Sequence, residues 1–179
     1  MIKASLFVLA FTLALSACAS SAAPAPTAPT GAARLTLVSS AFAEGEAIPQ
    51  KFTCHGSNLS PALKWSGAPS ATRSFALIVD DPDAPLGVFT HWVAFDIPAT
   101  QTEIAEGALS AGTSGRNSSG KTGYMGPCPP SGVHRYVFTL YALDVDSLKL
   151  NAGATKDQVL AAMQGHILAQ GSLMGKYGK

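Results

Sequence analysis

The sequence predicts a mainly β fold, an antiparallel β-sandwich or large Greek-key sheet with a peripheral C-terminal helix. Three observations point there. From His134 the chain runs strand-like for longer than anywhere else, with His134, Tyr136, Phe138 and Leu140 on one face and Arg135, Val137, Thr139 and Tyr141 on the other. Ser74–Val79 and Phe89–Ile97 are apolar enough on both faces to lie inside a sheet. Helical spacing shows only near the C-terminus, without β-α-β alternation or internal repeat, which leaves a doubly wound α/β fold as the weaker alternative.

With 179 residues, 47% hydrophobic and 13% charged, the chain suits one domain with a sizeable core. Its formal charge is +1, from 12 basic and 11 acidic residues scattered without a basic stripe, so nucleic acid is not an expected partner.

The chain opens on Lys3, an apolar run from Ala4 to Leu15, and then Ser16-Ala17-Cys18. A positive start, a run too short to span a bilayer and a small-residue cleavage site make a secretory signal over residues 1–17. Leu15-Ser16-Ala17-Cys18 resembles the bacterial lipoprotein lipobox, which implies acylation of Cys18 and a membrane-anchored protein on the periplasmic side. Ala19 after the cysteine fits delivery to an outer membrane; an ordinary signal with a chance cysteine is the alternative. Residues 18–33 hold Ala, Pro, Ser and Thr with no charge or large apolar group, and read as an extended tether.

The globular domain is expected over residues 34–179. Leu35–Val38 alternates as a first strand, and Ala47–Pro49 and Lys51–Thr53 read as extended pieces. Cys54–Leu63 is a polar, turn-forming connection. In Phe89–Ile97, alternation places His91, Val93 and Phe95 on one face. Thr100–Gly120, rich in Gly and Ser, reads as a long surface excursion. Thr155 with Gln158 has capping-box form before a helix over Lys156–Gly165, and His166–Met174 reads as a last strand. Cys54 and Cys128 are left over in an oxidising compartment, so they form either one disulfide or two separate thiols.

Polar residues gather at the ends of the core strands: Asp80, Asp81 and Asp83 after one, His91 in the next, His134 and Tyr136 in the third. Beside the last lies a stiff Gly/Pro loop, Gly126 to Pro130. Imidazole N–H, tyrosine O–H and backbone N–H groups suit a phosphate oxygen, while an Asp can orient a histidine or take an ammonium group. Three other chemistries compete. Gly115–Thr122 (GRNSSGKT) matches a Walker-A string, but no strand precedes it and no helix can follow through Gly-Tyr-Met-Gly-Pro. A hydrolase using the Asp/His residues would need a nucleophile, and no G-x-S-x-G elbow is present. A metal-dependent enzyme would need ligand spacing that the scattered histidines lack.

DPDAP at Asp81–Pro85, HWVAFDIP at His91–Pro98 and GYMGPCPPSGVHRYVFTLYALD at Gly123–Asp144 resemble signature segments of the phosphatidylethanolamine-binding protein family, also called Raf kinase inhibitor-like proteins. His55–Pro69 and the closing ILAQGSLMGKYG resemble its bacterial branch. The likeness covers Leu35 to Gly178. It implies a large antiparallel sheet packed on a smaller one, with a small anion pocket at one end of the strands. Asp81, His91, His134 and Tyr136 would line that pocket, Asp83 and Pro85 would shape its first wall, and Gly126, Pro129 and Pro130 its rim. Pro82 or Pro85 would be the place for a cis bond. The implied protein is a non-catalytic binder of phosphate or a phospholipid head group, without cofactor or metal. Eukaryotic members regulate kinases and proteases by binding, which implies an unidentified protein partner.

Overall fold

The computed structural model describes residues 33–108 and 111–178; the predicted signal, Cys18 and the tether up to Ala32 lie outside them. Among the described residues the chain forms β1 (Ala33–Arg34), β2 (Thr36–Ser39), β3 (Leu63–Ser66), β4 (Ser74–Asp81), β5 (Phe89–Pro98), β6 (Glu103–Ile104), β7 (Thr113–Ser114), β8 (Val133–Leu143), α1 (Lys156–Met163) and β9 (Ile167–Gly178).

These build two sheets. The larger has the order β1-β9-β8-β4-β5-β7 and the smaller β2-β3-β6. All pairings are antiparallel except that of β1 with β9. The mainly β, two-sheet expectation is therefore met, with one helix beside it.

Alternation along the strands explains the layering. One face of the large sheet, with Phe75, Leu77, Val79, Trp92, Phe138 and Leu140, packs against Leu37, Leu63, Trp65 and Ile104 of the small sheet. The opposite face, with Ala76, Ile78, Val93, Phe95 and Tyr141, packs against Val159, Leu160 and Met163 of α1. Side chains such as Phe138 and Phe95 are fully buried, and each contributes about 1.5–3 kcal/mol by leaving water. Thr155 caps α1 with the expected capping box, so two otherwise unpaired groups at the helix start find partners. Lys156 then ties the helix to β4, its Nζ donating to Asp80 Oδ2 at 2.6 Å.

Several elements differ from the sequence reading. Residues 50–52 form a single 3-10 turn, not an extended piece; Thr53 N–H closes it on the Gln50 carbonyl. The helix stops at Met163, two residues before Gly165. The segment from Thr100 to Gly120 is tied down rather than loose: Ile104 and Ala111 are buried, β6 pairs with β3 and β7 with β5. Backbone hydrogen bonds anchor it where apolar side chains are few. The last strand runs on from Met174 to Gly178. No described peptide bond is cis, so Pro82 and Pro85 follow trans bonds and that expectation is corrected.

Candidate functional site

The site lies at the end of the large sheet where β4 hands over to β5 and β8 begins. Asp81 closes β4 and pairs with Phe89 at the start of β5; His134 is the second residue of β8 and pairs with Tyr177 of β9. Alternation along β8 sends His134 and Tyr136 to the same buried face, as the sequence suggests. Alternation along β4 separates neighbours: Asp81 turns to the histidines, while Asp80 turns away to Thr90 and Lys156.

His91 does not share a face with Val93 and Phe95, which corrects the sequence reading. Val79 pairs with Trp92 and Asp80 with Thr90, so His91 is an extra residue at a bulge. A bulge breaks the period of two and re-aims the side chain. Val93 and Phe95 stay on the α1 face, whereas the His91 ring meets Tyr136 edge-on at 5.1 Å between centroids and Phe89 at 4.9 Å.

Asp81, His91, His134 and Tyr136 are thus brought together, and all four are buried. His134 Nδ1 lies 2.7 Å from Asp81 Oδ2, and His91 Nδ1 lies 2.8 Å from the Met125 carbonyl. Carbonyls and ionised carboxylates only accept, so Nδ1 carries the proton on both rings. Burial holds the His91 pKa below its ordinary value, against the pull of the Met125 carbonyl and Asp81. Tyr136 is 1% exposed, and its buried hydroxyl has no hydrogen-bond partner among the described residues. Burial pushes its pKa up, and the Asp81 charge pushes it further. The Cys128 backbone and Asp81 lie near enough to act on its ionisation, but neither meets hydrogen-bond geometry.

The surrounding residues hold this arrangement. Asp81 Oδ1 accepts the Asp83 N–H at 2.8 Å, fixing the turn after β4. Asp83 in turn accepts from the Arg135 N–H, Nε and Nη2 at 2.9, 2.8 and 2.6 Å. That grip holds the Asp83 carboxyl well below the usual carboxylate range. Asp83 therefore locks the turn onto β8. Gly126 donates its N–H to Asn58 Oδ1 at 2.8 Å. A Cβ there would stand 2.5 Å from the Phe52 carbonyl oxygen, so only glycine fits. Tyr124 donates to that same carbonyl at 2.8 Å, and Cys54 and Cys128 are joined by a disulfide across a separation of 74 residues. Pro129 is buried, while Pro85 and Pro130 are exposed.

Three contributors escaped the sequence reading. Tyr177 reaches His55 Nδ1 at 3.0 Å beside His134; it lies past the predicted end of the last strand. Asn58 and the Met125 carbonyl act from loops, where no periodicity marks them. A cleft of about 350 Å3 is lined in part by Asn58, Lys121, Tyr124 and Met125. The Walker-like string runs along this cleft; the two-residue β7 does precede it, unlike the sequence reading, but no helix follows. Asn117 Oδ1 instead gathers Ser119 N, Ser119 Oγ and Lys121 N into a closed turn. Among the described residues no three His, Cys, Asp or Glu side chains are grouped as metal ligands would be.

The geometry can be set beside known proteins. A family profile described as phosphatidylethanolamine-binding protein matches residues 38–178, which contain every residue of the site. The chain belongs to the phosphatidylethanolamine-binding protein family. A UPF0098 protein of Methanothermobacter thermautotrophicus is 50% identical over 149 residues, 80% of this chain and 98% of the relative. One of Aquifex aeolicus is 46% identical over 154 residues, covering 82% and 90%. Among solved structures, a homologue of this family from Chlamydia trachomatis superposes with a TM-score of 0.79 at 43% identity, covering 82% of this chain and 98% of that one. YbcL of E. coli, described as a member of the mammalian family, gives 0.76 at 31% identity, covering 82% and 99%. The family is named for binding, not for a reaction.

Proposed function

We propose that the protein is a non-catalytic binding protein whose site holds a small anionic group, foremost a phosphate such as a phospholipid head group carries. The observation that carries this reading is the unpartnered hydroxyl of buried Tyr136, whose ring meets His91 edge-on and which shares a strand face with His134, both imidazoles having Nδ1 engaged. A buried donor without a partner costs about 1–3 kcal/mol, which an accepting ligand oxygen removes. Protonation at Nε2 makes either imidazole a further donor, and an added proton balances the charge of the ligand. Asp81 is occupied by His134, which moderates its repulsion of an anion and leaves it able to meet an ammonium group.

The absence of a nucleophile from these contacts supports binding over hydrolysis. Among the described residues neither His91 nor His134 is hydrogen-bonded to a hydroxyl or thiol it could activate. The same reading includes export, acylation at Cys18 and regulation of a protein partner outside the cytoplasm. Mass spectrometry of the membrane-extracted protein tests the acylation, with Cys18→Ser expected to lose the acyl mass.

Calorimetry of the full chain with O-phosphoethanolamine and with inorganic phosphate tests the site. Binding is expected in the wild type and at least about tenfold weaker in Tyr136→Phe, the loss of one hydrogen bond to a charged group. No heat with either probe, or unchanged affinity in Tyr136→Phe, overturns the proposal.

A further inference from the structure

The bond between Cys54 and Cys128 joins two residues that are both exposed. Exposed disulfides are the ones open to thiol exchange. Cys54 also lines the cleft that contains Lys121 and Tyr124, which leaves open space beside the bond. His55 stands against one of the two sulfurs, its Nδ1 3.6 Å and its Nε2 3.9 Å from Cys54 Sγ. The ring is held from β9: Nδ1 lies 3.0 Å from the Tyr177 hydroxyl oxygen, and the two ring centroids are 5.9 Å apart. An imidazole fixed beside a sulfur stabilises the thiolate that forms there, which makes Cys54 the better leaving group of the pair.

We infer that Cys54–Cys128 is a redox modification site, opened by a dithiol oxidoreductase, and that opening it loosens the loops that complete the Asp/His/Tyr site. The exchange stands apart from the proposed function; only its effect on ligand binding rests on that reading. A thiolate of the oxidoreductase attacks Cys128 Sγ, and a mixed disulfide forms as the Cys54–Cys128 bond breaks. The electron pair of that bond leaves on Cys54 Sγ, beside His55. The second thiol of the oxidoreductase loses its proton and attacks its own sulfur in the mixed disulfide, which frees Cys128. The oxidoreductase ends as a disulfide, and the protein ends with two thiols, having gained two electrons and two protons.

The bond is coupled to the site through both of its ends. Cys128 follows Met125 by three residues, and Met125 holds His91 twice: its carbonyl faces His91 Nδ1 at 2.8 Å, and its N–H donates to the His91 carbonyl at 3.0 Å. The Cys128 backbone also lies beside the Tyr136 hydroxyl. From the other end, His55 contacts Tyr177, the cross-strand partner of His134. Without the bond the two loops keep hydrogen bonds such as Cys54 N–H to the Pro127 carbonyl at 3.1 Å and Gly126 N–H to Asn58 Oδ1 at 2.8 Å. Cys54 and Asn58 are exposed, and hydrogen bonds of exposed loops open locally once covalent closure no longer keeps their ends together.

Incubation of the native full chain with a thioredoxin-type dithiol protein, quenched by iodoacetamide and mapped by mass spectrometry, tests the modification. A form of that oxidoreductase without its resolving cysteine is expected to be trapped on Cys128, with Cys54 alkylated. His55→Ala is expected to slow the opening by about tenfold, because the leaving sulfur loses its imidazole; a histidine that only braced the loop would make the variant open faster. Trapping on Cys54, opening only in denaturant, or an equal or faster rate in His55→Ala overturns the assignment. Hydrogen exchange of the wild type, oxidised and then held reduced by dithiothreitol, tests the coupling without any variant or ligand. Reduction is expected to speed exchange of the Met125 amide by about tenfold or more, while the amides of β4 and β8 stay protected. An unchanged Met125 amide, or protection lost in β4 and β8 as well, overturns the switch. Calorimetry with O-phosphoethanolamine on the two states keeps the readings apart. Weaker binding after reduction supports both, equal binding in both states overturns the switch, and a loosened Met125 with no binding in either state removes only the small-anion site.

Discussion

His134 and Asp81 form a buried ion-pairable couple, and such couples are more informative when broken than when counted. His134→Leu leaves the Asp81 carboxylate buried without its partner. It is expected to cost about 3–5 kcal/mol in denaturant unfolding, with Tyr136→Phe close to neutral by the same measure. His91 makes the site sensitive to pH. Burial lowers its pKa from 6.5, so below that value the unfolded chain binds more protons than the folded one. Stability is therefore expected to fall as pH drops through 6.5 and to level once the folded ring also protonates. Affinity for sulfate, which does not titrate in this range, should move the other way and rise as His91 gains its second N–H. Sulfate binding that stays flat from about pH 8 down to the pH at which the stability curve has levelled would show that His91 gives the ligand nothing. At this scale the strand alternation identified His134 and Tyr136 as neighbours. Asp81 came forward through its segment's likeness to a family. The Asn58 side chain and the Met125 carbonyl were invisible, since contacts from loops leave no period in a sequence.

The elements were legible where a regular period held and lost where glycine or a bulge interrupted it. Alternation fails at His91 because one extra residue sits opposite the step from Val79 to Asp80, and that irregularity is what brings the ring to Tyr136. The end of β9 was missed because Gly175 and Gly178 look like breakers. In the fold Gly175 pairs with Tyr136, and its missing side chain makes room for Ile48 and Phe42. A Cβ there would meet Ile48 Cγ1 at 2.5 Å and Phe42 Cε2 at 2.8 Å. Gly175→Ala is thus expected to cost about 1–3 kcal/mol by overpacking, seen as a lower thermal midpoint. Thr155→Ala should cost about 1 kcal/mol through loss of the helix cap. The mainly β class itself needed no such detail, because the apolar runs of β4 and β5 and the alternation of β8 build the centre of the large sheet.

At the scale of the whole molecule the site is a seam between distant parts of the chain. Asp81 comes from β4, His91 from β5, and His134 and Tyr136 from β8, while Tyr177 closes the edge from β9. Such a seam depends on long-range ties, of which the Cys54–Cys128 bond is the covalent one. For a loop of 74 residues its removal is expected to lower stability by about 4 kcal/mol. A shift in denaturant midpoint on adding a thiol reductant would measure it. Asp81 and His91 lie inside the span that this bond encloses, and Leu86 between them is fully exposed. A protease that severs the backbone at Leu86 would therefore divide one ligand residue from the other without releasing either. The cleaved protein should run as a single species on a denaturing gel until its sulfur bridge is opened, and only then fall into two.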